Sequence, residues 1–189
     1  MEDNLYPIVP DYSPGTASGQ SNMGIQSPRK TSENGLRLIK CFEACRLTAY
    51  KDTAGVLTIG FGHTEDVHDG QTCTQEQADE WLKSDVVVAE DAINRRVGEL
   101  TQYQFDSLVS FAFNVGAHAF AKSTLCHRLR DGEPSEAVAQ LAQWVHVSKD
   151  KINQIENGLV IRRGIESYIF QKGYTPAVML WIMAKEEKC

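Results

Sequence analysis

The sequence has no long hydrophobic run, and this absence argues against a membrane span. Of its 189 residues, 42% are hydrophobic, yet the longest apolar candidate, 177–184, falls far short of the roughly 18 residues that a span requires. The acidic start Met1-Glu2-Asp3 is not followed by the apolar segment of about 7–15 residues that marks a signal peptide. We therefore expect a protein that is made in a cytoplasm and is not exported by the usual route.

Recognisable cysteine motifs are also missing. The five cysteines are irregularly spaced and include no Cys-x-x-Cys pair, which argues against a zinc ribbon and against a disulfide framework. They are Cys41, Cys45, Cys73, Cys126 and Cys189. His63, His68 and Cys73 are potential metal ligands, but no fourth partner completes a tetrahedral site. We expect reduced, partly buried thiols, no metal and no cofactor.

Positive charge is scarce, because 19 Lys and Arg stand against 25 Asp and Glu, for a net charge of −6. This balance argues against a nucleic-acid partner, since such proteins neutralise many phosphates. The acids are unevenly placed: from His63 to Asp106 eleven oppose three basic residues, whereas from His118 to Lys172 six oppose eight. The sequence predicts an acidic region followed by a mildly basic one.

Proline is rare outside the first 33 residues, which hold four of the six prolines together with several glycines and serines. Such a segment cannot bury enough apolar surface to offset its chain entropy. We predict a flexible N-terminal arm at 1–33. The remaining length suits one domain, placed at 34–173, with a C-terminal tail at 174–189 that can form a last helix.

The pattern beyond the arm predicts a small β-hairpin in a mostly helical chain. Thr31 or Ser32 can cap a first helix, with Glu43 near its end on the apolar stripe. Residues 47–61 are rich in β-branched and aromatic residues around a turn, which predicts the hairpin. Further helices are predicted after the capping box Thr74-x-x-Gln77 and near Thr101–Val115, Ser123–Leu129, Ser135–Val145 and Ile161–Gln171. The fold class is α+β, with a small hairpin lobe and a larger all-α lobe.

Glu43, Asp52 and Thr58 are the residues that point to chemistry. Partial burial and the negative end of a helix favour the protonated form of Glu43, and a protonated carboxyl is what a general acid requires. Asp52, in a polar turn, is expected to stay ionised, and the Thr58 hydroxyl on the returning strand can hold a water. Two carboxyls in contrasting surroundings are the equipment of a glycoside hydrolase.

The spacing Glu43-x8-Asp52-x5-Thr58, followed by Ile59-Gly-Phe-Gly-His63, closely resembles the phage T4-type lysozyme family, glycoside hydrolase family 24. The resemblance continues from about residue 34 to 172. Phe111-Ala-Phe-Asn114-Val-Gly116 and Phe120–Leu125 resemble the central helix of that family and the turn after it, and Gly158-Leu-x-x-Arg162-Arg163-x-x-Glu166 resembles its C-terminal arginine motif. The resemblance implies a lysozyme-like fold with an active-site cleft between its two lobes.

By this resemblance the protein is a muramidase that cuts the β-1,4 bond between N-acetylmuramic acid and N-acetylglucosamine in peptidoglycan. Glu43 would protonate the leaving oxygen, while Asp52 and Thr58 position a water on the opposite face of the sugar. Inversion is then expected, with the two carboxyls about 6.5–9.5 Å apart. An acidic protein is a departure, because many members that lyse cell walls are basic.

The resemblance also suggests supporting residues. Arg162 or Arg163 would pair with Glu43, and these two arginines and Asn114 are predicted to bind substrate. Such an ion pair would oppose the raised pKa expected for Glu43, and the sequence does not decide between the two effects. His63 is expected to be structural, as a partly buried imidazole bonded to a nearby carboxylate. Trp144 is expected in the core.

Three readings of the biological role remain open. The first is an endolysin, a monomer that waits in the host cytoplasm for a holin-type pore and then acts on periplasmic peptidoglycan during host cell lysis. The second is a virion-associated or secreted-toxin lysozyme docked by its N-terminal arm. The third is a catalytically silent peptidoglycan-binding module.

Overall fold

The computed structural model describes residues 28–52, 54–149 and 152–186, and within these ranges it confirms the α+β class. A short antiparallel hairpin stands beside a larger, mostly helical part. The elements are α1 (Glu33–Lys40), β1 (Arg46–Lys51), β2 (Leu57–Gly60), α2 (Gln75–Asn94), α3 (Gln102–Val115), α4 (Ala117–Lys122), α5 (Thr124–Arg130), α6 (Pro134–Ala139), β3 (His146–Lys149), β4 (Ile152–Ile155), α7 (Asn157–Lys172) and α8 (Pro176–Glu186). No helix in the described ranges is both long and apolar enough to cross a membrane.

The first helix is fixed at its N-terminus by side chains of other helices. Ser32 is the N-cap and accepts a hydrogen bond from the Gly35 amide at 3.2 Å, while its own amide donates to Asp106 of α3 at 3.0 Å. A Cβ on Gly35 would lie 2.7 Å from the Asp106 carboxyl carbon, so only glycine allows this approach. The Thr31 amide donates to Glu90 of α2 at 2.7 Å.

The end of the predicted arm is therefore part of the packed structure. Arg29 donates its amide to Asn94 at 3.1 Å and accepts from the same side chain at 2.9 Å. The predicted boundary at residue 33 falls inside a hydrogen-bonded segment that begins at Arg29. Residues 1–27 of the arm lie outside the described residues.

The hairpin of β1 and β2 is irregular on the β1 side. Its register pairs Arg46 with Gly60 and Tyr50 with Thr58. Between these two pairs the chain advances four residues on β1 but only two on β2, so β1 contains a bulge. A bulge bends the strand that contains it. The bulged residues 47–49 pair instead with 71–73, through the Ala49 amide to Gln71 at 2.8 Å and the Cys73 amide to Leu47 at 2.9 Å.

Helix α3 is the centre of the larger core. Its buried residues pack against α1, α2 and α7. They include Phe105, Leu108, Val109, Phe111 and Ala112. The edge of the Trp144 ring meets Phe111 with ring centres 5.3 Å apart, as expected for a core tryptophan. Because α3 also carries Ser110 and Asn114, this core holds one side of the site.

The predicted tail is an integral helix. Val178 and Ile182 of α8 are buried with Leu38 of α1 and Ile169 of α7 in a second apolar cluster. Helix α8 therefore covers the end of α1 from which the chain runs to Glu43. Residues 187–189 of the tail lie outside the described residues.

The C-terminal part differs from the predicted all-α lobe in three places. The predicted helix Ser135–Val145 is shorter, because α6 ends at Ala139 and a 3-10 turn follows at Gln140–Gln143. A second antiparallel hairpin then pairs His146 with Ile155 and Lys149 with Ile152, as β-branched residues in both strands favour. The predicted turn at Phe120–Leu125 instead spans the end of α4, the Ser123 cap and the start of α5.

None of the four cysteines in the described ranges forms a disulfide. Burial raises the pKa of the Cys73 and Cys126 thiols, which keeps both in the unreactive thiol form at neutral pH. Cys189 lies outside the described residues.

Candidate active site

Glu43 lies in the turn between α1 and β1. The helix ends at Lys40, so the prediction that Glu43 shares its apolar stripe is wrong. The Glu43 amide still donates to the Ile39 carbonyl at 3.0 Å, which continues the helical hydrogen bonding by one step. The turn leaves the side chain about 25% exposed, enough to reach solvent while its backbone stays anchored.

Arg162 is the arginine that pairs with Glu43. Its Nη1 donates to Glu43 Oε1 at 2.6 Å. Its guanidinium is 4% exposed and lies over the Phe42 ring, 5.1 Å from the ring centre. The ion pair therefore links the turn that precedes the hairpin to helix α7.

Asp52 holds the hairpin turn with one carboxylate oxygen. Oδ1 accepts from the amides of Ala54 at 2.9 Å and Val56 at 2.8 Å. The role of a turn cap and the predicted catalytic role are compatible, because Oδ2 takes no part in these two bonds. The turn fixes the orientation of the carboxylate and keeps it beside solvent.

The Thr58 hydroxyl is nearly buried, with the residue 4% exposed. Its Oγ1 donates to the Val56 carbonyl at 3.0 Å. Because its proton is used in this bond, the oxygen can only accept from a further partner. Toward a water molecule it would therefore be an acceptor, which leaves the lone pair of that water available for attack.

Behind Glu43 lies a buried network built on Glu166 of α7, whose side chain is fully buried. Glu166 Oε1 accepts from Arg162 Nε at 3.1 Å and from the Ser110 hydroxyl at 2.7 Å. Its Oε2 accepts from Arg163. Arg163 in turn donates to Asn114 Oδ1 and to the Trp144 carbonyl.

The two arginines are not placed to contact a sugar, contrary to the substrate-binding role predicted for them. Arg162 and Arg163 are 3% and 2% exposed, and their guanidinium groups donate to acceptors inside the protein. Burial lowers the pKa of Arg163, although the neighbouring Glu166 carboxylate opposes this effect. Asn114 is exposed, and because Arg163 occupies its Oδ1, its amide nitrogen is left as a donor.

His63 is buried and its imidazole ring is held by two neighbouring side chains. Its Nδ1 lies 3.1 Å from both carboxylate oxygens of Asp85, and its ring stacks on Trp81 with centres 4.8 Å apart. Asp85 was not identified from the sequence, because its partner lies 22 positions away.

In the described part of the chain no three His, Cys, Asp or Glu side chains are grouped to hold a metal ion.

An open groove of about 630 Å³ lies along α2, between the residues that follow β2 and the junction of α3 and α4. Gly62 and Thr64 line it on one side, and Phe113 and Gly116 line it on the other. These residues flank His63 and Asn114 in sequence. The groove thus runs close to His63 and Asn114 in sequence, and its lining does not include Glu43, Asp52 or Thr58.

Comparison with known proteins agrees with this geometry. The phage lysozyme family model matches residues 40–166. The endolysin of Acyrthosiphon pisum secondary endosymbiont phage 1 is 40% identical over 144 residues, which are 74% of this chain and 97% of that protein. The endolysin of Bacillus phage PZA is 42% identical over 146 residues, 75% of this chain but 55% of that protein, so the chain spans about half its length.

A solved structure shows the same likeness. The muramidase domain of SpmX from Asticaccaulis excentricus is 36% identical to this chain, with a TM-score of 0.72 over 78% of this chain and 99% of that domain. The matched family segment contains Glu43, the hairpin and both arginines of the buried network. The chain belongs to the phage lysozyme family.

Proposed function

We propose that this chain hydrolyses the β-1,4 bond between N-acetylmuramic acid and N-acetylglucosamine with Glu43, Asp52 and Thr58 as its catalytic residues. As a phage lysozyme it is a peptidoglycan-degrading glycoside hydrolase of phage host lysis. The observation that carries the residue assignment is the ion pair of Glu43 with the buried Arg162, which fixes Glu43 in the turn that leads into the hairpin of Asp52 and Thr58. A pair of carboxyl groups in different surroundings is what glycoside hydrolysis uses.

Glu43 is the general acid in this proposal. Arg162 donates to Oε1, so Oε2 is the oxygen that carries the proton to the glycosidic oxygen. When that proton leaves, both Glu43 oxygens share the negative charge, and the adjacent guanidinium stabilises it. The ion pair therefore favours the state of Glu43 that follows bond cleavage.

Asp52 and Thr58 hold the attacking water. Asp52 Oδ1 is bound to the turn amides, so Oδ2 accepts one proton of the water. Thr58 Oγ1 accepts the other proton. Attack from the face opposite Glu43 would invert the anomeric carbon. Inverting glycoside hydrolases in general hold their two carboxyls about 6.5–9.5 Å apart, which leaves room for the water.

Asn114 is proposed as the substrate-binding residue of the helical part. Its Oδ1 is occupied by Arg163, so Nδ2 can donate to the carbonyl of an N-acetyl group. An amide that donates in a fixed direction favours acetylated sugars over sugars that lack this acceptor.

The assignment of Glu43 is tested by turbidity loss of chloroform-treated Gram-negative cells. Glu43→Gln keeps the size and the acceptor oxygen for Arg162 but cannot deliver a proton, so we expect clearing to slow by about 10²–10⁴-fold. Glu136→Gln makes the same chemical change at an exposed position on α6 and should clear like the wild type. Equal clearing by Glu43→Gln and wild type would refute the assignment, and no clearing by wild type would favour a silent peptidoglycan-binding module.

We also propose that the enzyme waits in the host cytoplasm as a monomer and reaches the periplasm through a holin-type pore. The endolysin relatives support this placement. Cells that express the chain without a pore-forming partner should remain turbid until chloroform is added. If mass spectrometry of purified phage particles found it as an abundant component, the virion-associated alternative would replace this proposal.

A further inference from the structure

We infer that Glu166 is a positioning residue that orients two parts of the active site at once, the general acid Glu43 and the substrate-binding Asn114. This inference rests on the proposed function of those two residues. Helix periodicity makes such a hub possible. Glu166 lies three positions after Arg163 and four after Arg162, so both arginines share its side of α7.

Glu166 accepts a hydrogen bond from one nitrogen of each arginine. This bond restricts the orientation of each planar guanidinium group and so the direction of its other N–H donors. Arg162 gives Nε to Glu166 at 3.1 Å and Nη2 to the Ser110 carbonyl at 3.0 Å. Because a guanidinium is planar, fixing these two nitrogens also fixes Nη1, which meets Glu43 at 2.6 Å.

Arg163 is constrained in the same way toward the other side of the site. It gives Nε to the Trp144 carbonyl at 3.1 Å and Nη1 to Glu166, and its guanidinium lies 4.7 Å from the centre of the Phe111 ring. Its remaining nitrogen, Nη2, meets Asn114 Oδ1. The amide plane of Asn114 is thereby set by a buried group.

Burial leaves Glu166 and the two arginines with no hydrogen-bond partners other than one another and nearby protein atoms. Glu166 is fully buried, and in the described ranges no buried side-chain nitrogen or oxygen lacks a hydrogen-bond partner. A change at Glu166 therefore cannot be compensated by water and is passed to Glu43 and Asn114 through the arginines.

Two serines of α3 allow a matched test, because both are fully buried and both donate to Glu166. Ser110 donates to its carboxylate at 2.7 Å, whereas Ser107 donates to its backbone carbonyl at 2.8 Å. Ser110→Ala and Ser107→Ala each remove one buried hydrogen bond from the same pair of helices. Only Ser110→Ala releases the carboxylate.

The experiment measures kcat and KM of wild type, Glu166→Gln, Ser110→Ala and Ser107→Ala, with release of reducing ends from soluble uncrosslinked peptidoglycan strands. For Glu166→Gln we expect kcat to fall about 10–100-fold, as small misplacements of catalytic groups do, and KM to rise as Asn114 loses its orientation. Ser110→Ala should move both constants in the same directions by a smaller factor. Ser107→Ala should lower Tm as Ser110→Ala does and leave both constants at wild-type values.

A double-mutant cycle tests the route through Arg163. If Glu166 acts on KM through Asn114, then Asn114→Ala and Glu166→Gln together should raise KM no further than the larger single effect. Additive effects on KM, or equal kinetic losses in Ser110→Ala and Ser107→Ala, would overturn the inference. Should Glu166→Gln not fold, the serine pair still decides the outcome.

The failure of this inference is distinct from that of the proposed function. Glu43→Gln is assayed in the same series. If Glu43→Gln retains wild-type kcat, the catalytic assignment itself is wrong. If Glu43→Gln is inactive while the serine variants do not differ, only the positioning role of Glu166 is refuted.

Discussion

At the scale of single residues, Asp52 shows how one side chain can serve structure and chemistry together. Oδ1 accepts from two turn amides, and the proposed chemistry uses Oδ2. Asp52→Asn retains an acceptor oxygen for the turn but loses the negative charge. We expect its lytic activity to fall by about 10²–10⁴-fold, with a Tm close to that of the wild type.

Asp52→Ala is the matched comparison, because it removes both the charge and the turn bonds. We expect the same loss of activity, and in addition a loss of stability on the order of 1 kcal/mol. Turbidity assays and thermal melts followed by circular dichroism separate the two effects. An active Asp52→Asn would show that the charge is not needed, and the carboxylate would then be a turn cap alone.

The sequence identifies local arrangements of residues better than distant ones. Glu43, Asp52 and Thr58 lie within sixteen positions, so their spacing is visible as a motif. The partner of Glu43 lies 119 positions away, and the choice between Arg162 and Arg163 depends on the rotation of α7. The internal acceptors of both arginines depend on how α3 packs, which no local pattern specifies.

At the scale of elements, the segment before α1 acts as a strap across α2 and α3. Thr31 and Lys30 donate to Glu90, and Ser32 donates to Asp106. We expect deletion of residues 1–27 to leave Tm unchanged and deletion of 1–32 to lower it, since two buried carboxylates lose donors at about 1–3 kcal/mol each.

Thermal melts of the two truncated chains test this expectation. Each kcal/mol corresponds to a fall of about 2–4 °C in Tm for a domain of this size. Equal Tm values for both truncated chains would show that the strap contributes nothing. A large fall on deletion of 1–27 would show that those residues also pack on the domain.

Elements were predictable where a local signal marks them. The capping box at Thr74 and Gln77 is present as expected, and the hairpin surrounds the predicted turn. The helix α4 was missed because it follows α3 directly, and the break is made by Gly116 at a positive φ of 90°. Helix α8 was uncertain because its burial depends on α1 and α7, which are distant in sequence.

At the scale of the whole molecule, the structure changes the meaning of the acidic excess between His63 and Asp106. Four of its carboxylates hold other parts of the chain, and therefore do not simply repel an anionic cell wall. Asp79 pairs with Lys40 of α1, Asp85 with His63 and Glu90 with Lys30. Asp106 accepts from Ser32 and from Tyr174. Three acids of α2, namely Asp79, Asp85 and Glu90, are thus attachments for other parts of the chain.

This use of carboxylates makes the fold sensitive to acid in a defined direction, which Glu90 illustrates. Burial disfavours its charge, but the hydrogen bonds from Thr31 and Lys30 outweigh burial and lower the pKa of Glu90. A carboxylate whose pKa is lowered in the folded state stabilises the fold fully at pH values above its pKa in the unfolded chain, which is about 4.3 for Glu. This stabilisation is lost as the pH falls through the pKa that the group has in the folded state.

We therefore expect Glu90→Gln to be less stable than the wild type at pH 7, and the difference to shrink below about pH 4.3. Urea denaturation of both chains at pH 7, 5, 4 and 3 measures the free energy of unfolding directly. Glu136→Gln, at an exposed position on α6, should follow the wild type at every pH. A difference between Glu90→Gln and wild type that stays constant across this range would mean that Glu90 contributes through packing and not through its charge.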